Sequence, residues 1–300
     1  MARSRILWLA IACFAASSWA CAAETPARAS APVIVFMTDF GTRDDAVAIC
    51  KGVMLGIEPT ARIVDLTHEV PPYSVADGAR FLARSALYFA PGTIFVGVVD
   101  PGVGTQRHTI IAKSKRGQYF VVPDNGLLTS IEDRDGIESA REIKNPAWML
   151  PGPHSATFHG RDVFSPAAGH LARGDDWTAA GPIVPKLARL IVDAPVLDAA
   201  GISGHVIGLD GPYGNLITDI KPDRLREIGY RPGDVIYIKV AGKSLTLPFV
   251  RTFGDVPVGK PLLYIDSSNL VSVAINQGNF AQANEVTPPA KFFIARKKPK

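Results

Sequence analysis

From residue 33 to about residue 122 short apolar runs alternate with stretches of helical period, and after about residue 190 that alternation stops; no other feature restricts the fold as tightly. The runs at 33–37, 61–66, 93–99, 109–114 and 119–122 have strand length, and the segments at 44–56 and 74–89 have helix length. Strands separated by helices need crossover connections, which build a largely parallel sheet with helices on its faces. The later runs at 205–209, 216–220, 235–240, 243–247, 262–265 and 270–275 are bounded by Gly, Pro, Asn and Asp, the pattern of a small β-barrel or sandwich. The expected fold class is therefore α/β, with an N-terminal sandwich-like α/β domain over 33–192 and a C-terminal β-barrel domain over 200–295. The break falls where Asp193-Ala194-Pro195 interrupts the pattern.

Upstream, Arg3 and Arg5 precede an apolar run over 6–16 and then small residues through Ala23, the order of a secretory signal occupying 1–23. Residues 24–32, rich in Ala and Pro, read as a linker. Export to the periplasm or outside the cell is expected, with a lipoprotein on Cys21 or an uncleaved anchor as alternatives. The apolar run is short for a bilayer span, which takes ~20 residues. Cys13 and Cys21 belong to the leader, so Cys50 is left as a small buried core residue with no disulfide partner. The formal charge of +4 is carried by the ends: removing Arg3, Arg5 and the tail cations Arg296, Lys297, Lys298 and Lys300 leaves −2. No basic face for nucleic acid survives that removal. The tail over 296–300 reads as a frayed, solvated end.

Ligand sites of open α/β sheets gather beyond the carboxyl ends of the strands. Asp39, in Thr38-Asp39-Phe40-Gly41, lies there and can accept hydrogen bonds from vicinal hydroxyls such as those of a ribose; a strand tip with its own turn residues gives it no structural duty. Asp44 and Asp45, by contrast, suit a helix N-terminus. Asp100 opens the loop Asp100-Pro101-Gly102-Val103-Gly104-Thr105-Gln106-Arg107, which lacks the lysine and hydroxyl of a phosphate-binding loop. Asp100 and Arg107 could form no more than a structural ion pair. His159, in Phe158-His159-Gly160-Arg161, could orient or deprotonate a water. Asp210-Gly211-Pro212-Tyr213-Gly214-Asn215 and Asp266-Ser267-Ser268-Asn269 are good β-turns, yet Asp210 could pair with an ammonium and Asn215 could read a purine edge. No His or Cys spacing suggests a metal.

Taken together, VFMTDFGTRDDAVAICKG, VVDPGVGTQR, PDNGLL, FHGRDVFSPAAGHLA and GLDGPYGNLITDI resemble the S-adenosyl-L-methionine hydrolases, or SAM hydroxide adenosyltransferases, which share a fold with the fluorinases and chlorinases. The resemblance runs from about Val33 to Ala295. It implies hydrolysis of S-adenosyl-L-methionine to adenosine and L-methionine without a cofactor, in a homotrimer with sites between subunits. It implies that Asp100, Arg107 and His159 form a water-orienting triad; in such a triad Asp100 and His159 are expected to position and partly deprotonate the water, while Arg107 holds the Asp and stabilises developing hydroxide. Asp39 would bind the ribose, Asp210 and Ser267 the amino-acid end, Asn215 the adenine, and Tyr73 and Phe253 would wall the ligand. Ser268 and Ile217 depart from relatives that carry Arg and Trp there. Halide transfer is disfavoured, because a halide beside the Asp100 carboxylate would be repelled and Gly160 offers no hydroxyl. A halide-using adenosyltransferase and a non-catalytic binder of adenosyl compounds remain the alternatives.

Overall fold

A computed structural model of the chain describes residues 31–298; the leader, Cys13, Cys21, most of the linker and the last two tail residues lie outside the described part. The first sheet holds β1 (Val33–Thr38), β2 (Arg62–Thr67), β3 (Ile94–Val98), β4 (Thr109–Ser114), β5 (Tyr119–Pro123) and β6 (Ile137–Glu142), in the order β2-β1-β3-β5-β4-β6. Four helices accompany it: α1 (Ala46–Ile57), α2 (Val75–Ala86), α3 (Thr129–Asp135) and α4 (Ser165–Arg173). Along β1, Ile34 and Phe36 join the core that α1 and α4 cover, whereas Val35 and Met37 join the one that α2 and α3 cover. Both faces are thus buried, which is why the strand reads as one continuous apolar run. Each such fully buried large side chain contributes roughly 1.5–3 kcal/mol.

The parallel expectation holds for β1 against β2 and β3, and for β3 against β5. It does not hold for β4, which is antiparallel to both β5 and β6. Between β4 and β5 the chain turns within four residues, with Gly117 at φ +77°, and a connection that short permits only a hairpin. Helix α2 starts on Ser74, whose Oγ accepts the Asp77 N–H at 3.3 Å and donates to Asp77 Oδ2 at 2.7 Å. Its buried residues Ala79, Leu82, Ala83 and Ala86 follow the three-to-four spacing of one apolar face. The Ala46 N–H donates to Asp44 Oδ1 at 3.1 Å, the helix-start role expected of that carboxylate, while Asp45 makes no side-chain cap. Cys50 is fully buried and free, as expected.

The second sheet is a nearly closed barrel. It contains β7 (Val196–Leu197), β8 (Gly201–Asp210), β9 (Asn215–Thr218), β10 (Val235–Val240), β11 (Lys243–Pro248), β12 (Pro261–Ile265), β13 (Val271–Ile275) and β14 (Ala290–Ala295), with the short helices α5 (Pro222–Glu227) and α6 (Phe280–Asn284). The order is β11-β10-β14-β8-β9-β13-β12, with β7 beside β8, and a bridge from Phe249 to Leu263 joins the two ends. Alternate residues such as Ile236, Ile238 and Val240 fill its interior. The tail departs from the frayed end expected of it: the Arg296 N–H donates to Ala200 O at 2.8 Å and Lys297 Nζ reaches Asp234 at 2.6 Å, so its first residues are fastened to the barrel.

Candidate active site

Strands β1 and β3 are neighbours with Thr38 registered against Val98, so Asp39 and Asp100 emerge side by side from the carboxyl end of the sheet. The loop after β1 is braced by the loop after β2. Thr38 Oγ1 lies 2.9 Å from His68 Nδ1, and the Gly41 N–H donates to His68 O at 2.7 Å. Asp39 has a structural duty after all, because its Oδ2 accepts the Tyr73 N–H at 2.9 Å. Tyr73 adopts φ +65°, a left-handed backbone costly for a bulky residue, and that geometry lies at the bond to Asp39. Oδ1 of Asp39 makes no hydrogen bond among the described residues.

The loop from Asp100 to Arg107 closes on itself. Arg107 Nε donates to Asp100 Oδ1 at 2.9 Å and Oδ2 at 3.0 Å, and Nη2 also donates to Oδ2. The side chains are only 9% and 5% exposed, so this is a nearly buried, bidentate pair. Nη2 continues to His159 Nδ1 at 3.0 Å, and the Phe164 ring lies 5.6 Å from the guanidinium carbon. Arg107 is thus the centre of the cluster. A guanidinium only donates, so the Nδ1 facing it accepts, and a neutral His159 carries its proton on Nε2. Burial, and secondarily the Arg107 charge, hold the His159 pKa below its ordinary 6.5. With its proton on Nε2, His159 presents a donor toward the cavity, a geometry that suits holding a water better than deprotonating it.

Two features to which the motifs assigned no role shape this end of the sheet. Asn125 Nδ2 donates to Val99 O at 2.9 Å and fixes the strand tip that carries Asp100. His159 is followed by a π-helical turn over Gly160–Phe164, a backbone form concentrated at functional sites. A Cβ on Gly160 would stand 3.1 Å from Phe40 Cζ, and the rings of Phe40 and Phe158 meet edge to face at 6.0 Å.

Asp39, Tyr73, Asp100 and His159 line a cavity of about 370 Å³ together with Phe40 and Phe158; Arg107 holds two of them from behind. Asp210, Asn215 and Phe253 line another, of about 660 Å³, at the end of the barrel. Neither cavity contains a residue of the other set. Ser267 borders neither and is exposed on the turn between β12 and β13, which Asp266 shapes by accepting the N–H groups of Ser268 and Leu270. Near Asp210, burial followed by the charges of Asp210 and Asp266 pushes the Tyr264 phenol up to about 12, and its ring supports Phe253 at 5.0 Å. Among the described residues no group of three or more His, Cys, Asp or Glu could hold a metal ion.

A model of the SAM hydroxide adenosyltransferase N-terminal domain matches residues 34–181, and one of the C-terminal domain matches 204–292. An (R)-S-adenosyl-L-methionine hydrolase of Salinispora arenicola is 40% identical over 87% of this chain and 96% of its own length. A protein of the same name from Thermus thermophilus is 38% identical over 83% and 94%, and a fluorinase of an Actinoplanes species 31% over 83% and 93%. The crystal structure of an uncharacterized conserved protein from Thermotoga maritima superposes with a TM-score of 0.83 at 36% identity, over 88% of this chain and all of that one. Both halves of the described fold fall within this agreement, and the chain belongs to the SAM hydroxide adenosyltransferase family.

Proposed function

We propose that this protein is an enzyme that hydrolyses S-adenosyl-L-methionine to adenosine and L-methionine. The observation that carries the reading is the Asp100–Arg107–His159 cluster, two of whose members open onto the same cavity as Asp39. Asp39 takes the ribose hydroxyls. A water held by the Nε2–H of His159 attacks C5′ in line with sulfur; the C–O bond forms, the C–S bond breaks, and sulfur keeps the electron pair as a neutral thioether. The proton the water loses passes toward the Asp100 carboxylate, which retains lone pairs beyond those bonded to Arg107. A sulfonium needs no acid to leave, so the chemistry calls for alignment and exclusion of bulk water rather than a cofactor.

The working unit in this reading is a homotrimer with each site between two subunits. Support comes from the separation of the two sets of ligand residues into different cavities of one chain, since neither cavity alone offers both the triad and Asp210 with Asn215. Tyr73 and Tyr213, 74% and 66% exposed beside those cavities, are surfaces for a partner to cover. The order of charged, apolar and small residues in 1–23 supports export to the periplasm or beyond. Among the described residues no helix is long and apolar enough to cross a membrane.

The test is incubation with each sulfonium epimer of S-adenosyl-L-methionine, followed by chromatography. Adenosine and methionine in equal amounts support the reading, with the (R) epimer, for which the relatives are named, as the first to try. A 5′-halo-5′-deoxyadenosine formed in excess chloride or fluoride would mark a halide-using adenosyltransferase. Retention of ligand without product would mark a binding protein. Fractionation with N-terminal sequencing tests export, which Met1 retained on cytosolic protein would refute.

A further inference from the structure

A methionine-type ligand end carries an ammonium and a carboxylate on one carbon, and Asp210 can answer only the first. The turn over residues 266–269 offers Asp, Ser, Ser and Asn but no cation. A third cavity, of about 940 Å³, lies between α2 and the turn from β8 to β9, and Asp210 lines it as well. Its opposite wall presents Arg80. This side chain is held in place: Nη2 donates to Asp77 Oδ1 at 2.6 Å, Asp77 is itself fixed by Ser74, and the guanidinium carbon lies 4.6 Å from the Phe81 ring centroid.

The guanidinium rests on Gly208, where a Cβ would come within 2.6 Å of Nη2, so the glycine makes the approach possible. The strand bulges there, between Val206 and Gly208. From Gly208 to Asp210 the pairing with β9 is regular, which puts both residues on one side of the strand about 7 Å apart. Nη2 is taken by Asp77, while Nε and Nη1 make no hydrogen bond among the described residues; Nε is covered, which leaves Nη1 for a ligand. A ligand making hydrogen bonds of about 3 Å at each end of an α-amino acid head spans a gap of this order.

We infer that Arg80 binds the carboxylate of the ligand whose ammonium Asp210 holds, so that one wall of the barrel and one face of α2 in the same chain read the whole amino-acid head. The inference rests on the hydrolase reading and names one subsite within it. An Arg already bonded to one carboxylate can take a second through its free edge, since the planar fork carries five donors.

The experiment compares kcat/KM for S-adenosyl-L-methionine with that for its decarboxylated analogue, S-adenosyl-3-methylthiopropylamine, in the full-length protein and in the variants R80L, R80K and R84L. The unsubstituted protein is expected to favour the carboxylated substrate by about tenfold or more, as a charge-assisted hydrogen bond dictates. R80L is expected to bring that ratio to within about threefold, through KM for the carboxylated substrate, and R80K to restore part of it. Arg84, one turn further along α2 on the same cavity, should leave the ratio unchanged when replaced. Parallel loss of both substrates in R80L would show that Arg80 only fastens α2 to the barrel, and loss of preference in R84L would assign the carboxylate to Arg84; either overturns the inference. Calorimetric binding of adenosine verifies that each variant is folded. If no adenosine is released by the unsubstituted protein, the hydrolase reading fails by itself. Binding of methionine against 3-methylthiopropylamine then still decides Arg80.

Discussion

Arg107 Nη2 donates to His159 Nδ1 at 3.0 Å, and this one contact fixes which nitrogen of the imidazole carries the proton. Protonating His159 puts a hydrogen on Nδ1 facing a guanidinium that cannot accept it. The contact and the orientation of the ring are then lost together. Burial and the neighbouring cation both resist that protonation, in agreement with the lowered pKa.

The pH dependence follows with a definite sign. Turnover should be flat above about pH 7 and fall on the acid side through a value below 6.5, the ordinary imidazole pKa. In the unfolded chain His159 accepts a proton near 6.5, whereas in the folded chain it resists one. Its contribution to stability is therefore present above 6.5 and declines as pH drops from there toward the lowered folded value. A pH–rate profile and melting curves at matched pH values check both. An acid limb centred above 6.5, or a loss of turnover as pH rises through 7, would contradict the tautomer.

Arg107 and His159 should respond differently to substitution, because only Arg107 belongs to the almost buried ion pair with Asp100. D100A and H159A are expected to lose ~100-fold or more in kcat with little change in ligand binding. R107A strands the Asp100 charge, and breaking a buried pair from one side costs about 3–5 kcal/mol, so it should also lower the melting temperature markedly. R107K restores a charge but not the fork that reaches Asp100 and His159 together, so its stability should recover more than its turnover. Steady-state kinetics beside thermal melts separate the two effects.

The sequence made the strand tips legible because a buried parallel strand must be apolar on both faces, and the polar residue that ends it stands out. Asp39 and Asp100 stand out in this way. The family resemblance points to His159 and Arg107, but cannot show that the Arg lies between the other two, since that depends on how the loop over 100–107 folds back. Helix α4 was not legible: Pro166, Ala167, Ala168 and Gly169 are too small to give an apolar period, and they are small because α4 packs closely on α1, where a Cβ on Gly169 would stand 2.8 Å from Ile57 Cβ. Strand β14 is not legible beside the basic tail, although Phe292 and Ile294 alternate into the barrel core. Asn125 showed in the motif PDNGLL without a role, because its partner is a backbone carbonyl 26 residues away.

Gly104 is required by two conditions at once. Its φ is +76°, and a Cβ there would meet the Ala156 carbonyl oxygen at 2.5 Å, where the loop of Asp100 touches the loop that leads to His159. Gly174 shares the first condition alone, with φ +88° at the end of α4 and nothing within 4 Å. G174A should cost about 1–2 kcal/mol. G104A should cost about 3 kcal/mol or more, and should also lower turnover by moving His159 relative to Arg107. Denaturant melts of the two variants, with kinetics on G104A, give the comparison. Equal destabilisation would mean that the two loops yield to each other freely.

Whether the two cavities meet within one chain or across neighbours can be decided by complementation. D100A disables the cavity at the end of the parallel sheet and D210A the one at the end of the barrel, so each variant alone should be inactive. If every site takes its Asp100 side from one subunit and its Asp210 side from the next, mixed assemblies regain intact pairings. With equal co-expression and random mixing around a closed ring, about a quarter of the sites pair an intact sheet side with an intact barrel side. The mixture should therefore show about a quarter of the unsubstituted turnover at equal protein concentration. Sites contained within single chains predict no recovery at any mixing ratio, because every chain then carries one disabling substitution. The same preparations run on a sizing column with light scattering should give three times the mass of one chain; a monomer that turns over substrate would remove the shared site.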